Sequence, residues 1–229
     1  TMFRLTLLTI VAVVACANAE FRIINGQRAR LGQFPFAAKI SGCTASIMNK
    51  RTILTAAHCT CNRGATYVQV GLLNANRPES GSQRLRVARN IIFPGYGTGS
   101  GCARVRPTDL AIVKLSEDIR YTSNVQPIQL DCSRPSVGSP LTSLGYGGDG
   151  KGGSNILNWA QTKASYNCGS SYICSSRSPN SIYFGDSGGP VVTGHPGNYR
   201  QVGVNSGISN SYSMYADVPK YCSWIKQQF

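Results

Sequence analysis

The sequence predicts an all-β protein built from antiparallel barrels or a sandwich, and three observations carry the prediction. Short runs rich in Val, Ile, Leu, Thr and Tyr recur along the 229 residues, glycine clusters interrupt them, and helical spacing appears only near the C-terminal end. A hydrophobic content of 41% suffices for a packed core and argues against global disorder.

Taken in order, the strand-like runs are 51–57, 66–72, 110–115, 141–144, 201–205 and 214–218. Each is short and drawn mainly from residues that fit a pleated, half-buried surface. Glycines within 95–101 and 145–153 break the chain between runs. Residues 218–229 place Tyr221, Trp224 and Ile225 on one side of a helix. No internal repeat, linker or low-complexity tract stands out, so one domain or two fused barrels is the natural division for this length.

The N-terminal stretch belongs to targeting rather than to the fold. Arg4 precedes an apolar run over 5–16, and Ala17-Asn18-Ala19 offers small residues where a signal peptidase reads them. Residues 1–19 are therefore expected to be a secretory signal cut before Glu20. The run is shorter than the roughly 20 apolar residues that span a bilayer, which argues against a membrane anchor. An extracellular protein is the expectation.

Secretion changes how the cysteines read. Cys16 leaves with the signal, and the remaining eight are Cys43, Cys59, Cys61, Cys102, Cys132, Cys168, Cys174 and Cys222. An even number in an oxidising compartment indicates disulfides, although sequence alone leaves their pairing open. Zinc is disfavoured, because only two histidines exist and Cys59 and Cys61 lack the usual ligand gap.

The formal charge of +14 favours encounters with polyanions at low ionic strength, and Arg84, Arg86, Arg89, Arg104 and Arg106 concentrate it. A solvated strand face is the simpler account, and no nucleic-acid-binding motif accompanies the charge.

The chemistry centres on Gly185-Asp186-Ser187-Gly188-Gly189-Pro190, where a hydroxyl sits among glycines that allow sharp turning and close approach. The pattern also fits the nucleophile elbow of α/β-hydrolases, but that arrangement needs an acid and then a histidine after the serine. The later histidine, His195, follows with no carboxylate between, so chain order excludes the elbow. A serine hydroxyl needs a base, and His58 is the other histidine, in Thr55-Ala56-Ala57-His58-Cys59. A carboxylate must hold that imidazole. Of nine acids only Asp109 opens an apolar strand, where burial is costly unless the charge is paired.

Ala56-Ala57-His58-Cys59, Asp109-Leu110-Ala111-Ile112-Val113-Lys114-Leu115 and Gly185–Pro190, in that order, resemble the chymotrypsin-like (trypsin-like) serine protease family over about residues 23–229. The resemblance implies two six-stranded antiparallel β-barrels, about 23–125 and 126–217, closed by a C-terminal helix. It implies a triad of His58, Asp109 and Ser187 in the cleft between them. The N–H groups of Gly185 and Ser187 match the oxyanion hole, and Ser206 matches the serine beside the catalytic aspartate. Gly145-Tyr146-Gly147 is similar to the family's Gly-Trp-Gly with tyrosine substituted.

Further expectations follow from the same resemblance. Arg22-Ile23-Ile24-Asn25-Gly26 resembles an activation site, so 20–22 form an activation peptide. Cleavage after Arg22 by a trypsin-like protease then frees the Ile23 amine to insert beside Asp186. The family's bridges imply Cys43–Cys59, Cys168–Cys174 and Cys132–Cys222, leaving Cys61 and Cys102 as the remaining pair. No cofactor or metal is implied. The partners implied are protein or peptide substrates, and a monomer suffices.

The specificity pocket departs from the trypsin pattern. Ser181 occupies the position of the aspartate that selects Lys and Arg, and Tyr183 that of a cysteine bordering the pocket. Gly207-Ile208 follows Ser206 in place of Trp-Gly, the stretch to Tyr215 is shortened, and Ile208 and Ser213 stand where glycines commonly open the pocket. These departures imply an elastase-like preference for small or medium apolar residues, with aromatic residues second. The alternative reading is a catalytically silent, basic relative that binds polyanions or microbial surfaces.

Overall fold

The computed structural model describes residues 23–97, 102, 105–147 and 155–229. Residues 1–19, expected to be a secretory signal, the expected activation peptide 20–22 and Arg104 lie outside the described residues. Among the described residues, two β-structures and one α-helix make up the fold.

The first strand, β1 (Gln27–Arg28), pairs with a strand of the second sheet. The first barrel comprises β2 (Ala37–Ile40), β3 (Cys43–Asn49), β4 (Thr52–Thr55), β5 (Tyr67–Val70), β6 (Gln83–Ile92) and β7 (Ala111–Leu115). Its order is β2-β3-β4-β7-β6-β5, closed by β2 against β5, with every pair antiparallel. The barrel thus runs from Ala37 to Leu115, inside the expected 23–125. Ala45, Ile47, Val68, Val70, Val113 and Leu115 fill it from alternate positions of their strands.

The second sheet comprises β1, β8 (Gln129–Leu130), β9 (Pro140–Gly145), β10 (Asn158–Lys163), β11 (Tyr172–Ser176), β12 (Pro190–Thr193), β13 (Arg200–Ile208) and β14 (Tyr212–Asp217). Its six main strands run β10-β9-β12-β13-β14-β11, with β1 added beyond β10 and β8 parallel to β13. A bridge between Ser165 and Cys174 draws the ends together without a full ladder, so this half is an eight-stranded half-barrel rather than a closed six-stranded one. The two added strands have two residues each, too short to carry a period-two signal.

The helix α1 (Val218–Lys226) starts where Asp217 accepts a hydrogen bond from the Lys220 amide at 3.2 Å, an N-cap before the helix-tolerated Pro219. Val218, Cys222 and Ile225 are buried. Tyr221 and Trp224 close edge-on over Phe93, each with ring centroids 4.8 Å away, which docks the helix on the first barrel. Disulfides join Cys43–Cys59, Cys61–Cys102, Cys132–Cys222 and Cys168–Cys174. Among the described residues no helix is long and apolar enough to cross a membrane.

Candidate active site

His58 and Asp109 are 51 residues apart but begin from neighbouring strand ends. His58 lies in a single 3₁₀ turn, Ala57–Cys59, that follows β4, and the Cys43–Cys59 bond ties this turn back to β3. Asp109 stands two residues before β7, whose Ala111 pairs with Thr55 of β4. The two side chains therefore meet. His58 Nδ1 lies 2.7 Å from Asp109 Oδ2, and the His58 amide donates to Oδ1 at 2.9 Å.

Asp109 is fully buried, and Ser206 Oγ donates a third hydrogen bond to its Oδ2 at 2.5 Å. Three hydrogen bonds on one buried carboxylate satisfy its oxygens and fix the imidazole's orientation. Ser206 reaches Asp109 from a bulge in β13 between Asn205 and Gly207.

Ser187 shares with His58 a cavity of about 390 Å³. Among the hydrogen bonds of the described residues, none joins Ser187 Oγ to His58, a contact that commonly tightens only around substrate. The loop carrying Ser187 is held from both halves of the molecule. The Thr44 amide donates to the Ser187 carbonyl at 2.8 Å, and Thr44 Oγ1 donates to the Gly185 carbonyl at 2.9 Å. On the other side, Asn205 donates to the Asp186 carbonyl at 3.0 Å and accepts the Gly188 amide on its own carbonyl at 2.7 Å. Neither Thr44 nor Asn205 stood out from sequence, because each acts through its position on a strand rather than through a motif. Gly185 adopts φ +91°, where a side chain is strained.

Asp186 is buried with no exposure, and it accepts the Gly147 amide at 3.0 Å and the Tyr183 amide at 2.8 Å. Burial raises its pKa from the ordinary 3.8 to about 7, against the opposing pull of those two donors and of Lys39. The Gly-Tyr-Gly segment packs directly on it, and a Cβ on Gly147 would lie 2.5 Å from its Oδ1. Ile23 is also buried, and the following residue, Ile24, donates its amide to the Ser181 carbonyl at 2.8 Å.

Ser181 and Ser213 are buried with their hydroxyl oxygens 3.3 Å apart, and the Ile182 amide donates to Ser213 Oγ at 3.3 Å. The cavity wall is formed by Val105, Ile182, Phe184, Gly207 and Ile208, with Tyr183 beside them. Ile182 and Phe184 are neighbours of positions that sequence comparison singles out. Val105 comes from a distant loop of the first half, where a Cβ on Gly207 would lie 2.4 Å from its methyl group. The His58, Cys43 and Cys59 cluster has metal-type ligand atoms, but both sulfurs are spent in one disulfide and the set does not suit a metal.

The profile of the Trypsin family matches residues 23–225. Trypsin alpha of Drosophila melanogaster is 29% identical over 230 residues, spanning 89% of this chain and 86% of its own length. Trypsin beta of Drosophila erecta is 26% identical over 253 residues, spanning 94% and 96%. Among solved structures, neuropsin, a serine protease expressed in the limbic system of mouse brain, superposes with a TM-score of 0.78 at 24% identity, over 89% of this chain and 98% of its own. A mutant of human heparin binding protein gives 0.79 at 22% identity, over 90% and 96%. Both superpositions support the chymotrypsin-like fold. With nearly all of the described chain inside the matched region, this protein belongs to the trypsin family and is a serine endopeptidase.

Proposed function

We propose that this chain is a secreted, non-tryptic serine endopeptidase made as a zymogen and opened after Arg22. Ser187 is the nucleophile, His58 the general base and Asp109 the carboxylate that holds the imidazole and stabilises its charged form. The observation that carries the reading is one cavity shared by His58, Ser187 and an apolar wall, with Asp109 hydrogen-bonded behind His58.

In the reaction Ser187 Oγ bonds to the scissile carbonyl carbon while His58 takes the hydroxyl proton. The oxyanion that forms is received by the amides of Gly185 and Ser187. The carbon–nitrogen bond breaks, and His58 gives its proton to the leaving amine. Water, deprotonated by the same imidazole, then hydrolyses the acyl-enzyme and regenerates Ser187. Every step uses residues already present, and no cofactor enters.

The apolar wall of Val105, Ile182 and Ile208 supports cleavage after small or medium apolar residues, and Ser181, buried next to Ile182, offers no carboxylate. Lys and Arg lack a charge partner there, and aromatic residues rank second because Ile182 and Ile208 narrow the space. Activation follows from Asp186. An amine freed at Ile23 gives this buried carboxylate a cation and orders the neighbouring Gly185 and Ser187 amides.

A peptide-library digest read by mass spectrometry tests the reading, using protein nicked at Arg22 and freed of the nicking protease. Cleavage after apolar residues, absent from Ser187→Ala, is expected. Cleavage mainly after Lys or Arg overturns the pocket assignment, and equal activity before and after nicking overturns the zymogen.

A further inference from the structure

An arginine joins the two segments whose residues Ile182, Tyr183, Gly207 and Ile208 line the cavity. Arg177 lies four residues before Ser181, and the two share a hollow with Ile24 and Ser211, separate from the cavity that holds Ser187. Nε donates to Ser181 Oγ at 3.2 Å, and Nη1 donates to the Ser209 carbonyl at 2.9 Å. The Arg177 amide adds a bond to the Ser211 carbonyl at 3.0 Å. One residue thus spans the two segments that frame the pocket, 176–185 and 206–213. The Ser181–Ser213 hydroxyl contact and the Ile182 amide bond to Ser213 continue that link inward.

Two features make this arginine more than a surface residue. Tyr183 stands where relatives carry a bordering cysteine, so hydrogen bonds rather than a disulfide hold the two segments together here. The ion pairs of the described residues are Arg51–Asp118, His58–Asp109 and Arg134–Asp217, and none of them neutralises Arg177. A guanidinium stays charged at any working pH. Arg177 therefore sets a fixed positive charge beside Ser181, where the trypsin pattern has a negative one.

We infer that Arg177 is a specificity-determining residue: it clamps together the two segments that frame the cavity and repels a cationic side chain before the scissile bond. The inference rests on reading this cavity as the primary specificity pocket of the proposed peptidase. Mere absence of the aspartate would leave a neutral floor that treats lysine as an awkward aliphatic chain. A fixed cation adds a repulsive element against the wrong substrate. Arg177 touches neither the reacting carbonyl nor the triad, so its effect belongs to discrimination rather than to the chemical step.

The test uses nicked enzyme and paired peptides that differ only in norleucine or lysine before the bond. Arg177→Gln is expected to raise the lysine-to-norleucine ratio of kcat/KM by at least about tenfold, and Arg177→Lys to leave the ratio near its parental value. Labelling of Ser187 by a fluorophosphonate reports the catalytic apparatus separately. A variant that labels at the parental rate with an unchanged ratio overturns the role of Arg177. A parent that neither labels nor cleaves overturns the function on which it rests. If Arg177→Gln does not fold, the parent itself decides: neutral benzamide should compete at least about tenfold better than cationic benzamidine, and the reverse order overturns the inference.

Discussion

Asp186 shows how one buried carboxyl can couple stability to pH. Its carboxyl is buried, receives two backbone amides, and has its pKa raised to about 7 chiefly by burial. In the uncleaved chain the native state therefore binds more protons than the unfolded state between about pH 4 and 7. Stability from this group is fully present below the unfolded value of 3.8 and is lost as pH rises toward 7, at up to about 1.4 kcal/mol per pH unit. Urea unfolding of the uncleaved protein should accordingly show falling stability across that window, and Asp186→Asn should flatten the slope. Nicking after Arg22 should flatten it as well, because a nearby ammonium favours the carboxylate. An unchanged slope in Asp186→Asn would show that another group carries the pH dependence.

The same scale shows what was legible beforehand. His58, Asp109 and Ser187 stand in distinctive local patterns because each needs particular neighbours: a cysteine-anchored turn, an apolar strand entry, and a glycine-lined loop. Thr44, Asn205, Val105 and Arg177 carry no comparable local pattern. Thr44, Asn205 and Val105 reach the site, and Arg177 the segments that frame it, from strand faces or loops that only the tertiary fold brings near, so periodicity and spacing could not single them out.

Between elements, the strands that were readable are those with continuous apolar content, such as Thr52–Thr55 and Ala111–Leu115. The longest strand, Gln83–Ile92, escaped because Arg84, Arg86 and Arg89 interrupt it on the solvent side. Its bulge between Val87 and Arg89 also shifts the alternation midway. The C-terminal helix was readable from Tyr221, Trp224 and Ile225, but its partner Phe93 was not. That ring joins two halves of the molecule, so its removal should loosen the helix from the barrel. Phe93→Ala is expected to cost about 2–3 kcal/mol in guanidinium unfolding, below the roughly 3–5 kcal/mol of a fully buried aromatic because Phe93 is half-buried. The Cys132–Cys222 bond keeps the helix tethered, so folded variant should retain its cleavage preference. Unaltered stability would mean that the edge-on contacts contribute little to docking.

Across the whole molecule, burial makes the surface more basic than the formal +14 suggests. Asp109, Asp186 and Asp217 are three of the nine acids, and all three are buried. Asp118 is engaged by Arg51. On β6, Arg84, Arg86 and Arg89 are exposed, and Arg84 stacks over the Tyr67 ring at 3.9 Å, which holds its charge outward along the barrel. Lys114 lies directly across from Arg89, a like-charge pairing that an anion would relieve. The enzyme should therefore be retained on immobilised heparin at low ionic strength and released as salt shortens the screening length to about 8 Å near 0.15 M. Arg86→Ser with Arg89→Ser should lower the salt needed for release while leaving hydrolysis of a small neutral peptide unchanged, because neither residue lines the catalytic cavity. Retention independent of salt, or unaffected by the double substitution, would move the contact away from this strand and leave its arginines as a solvated face.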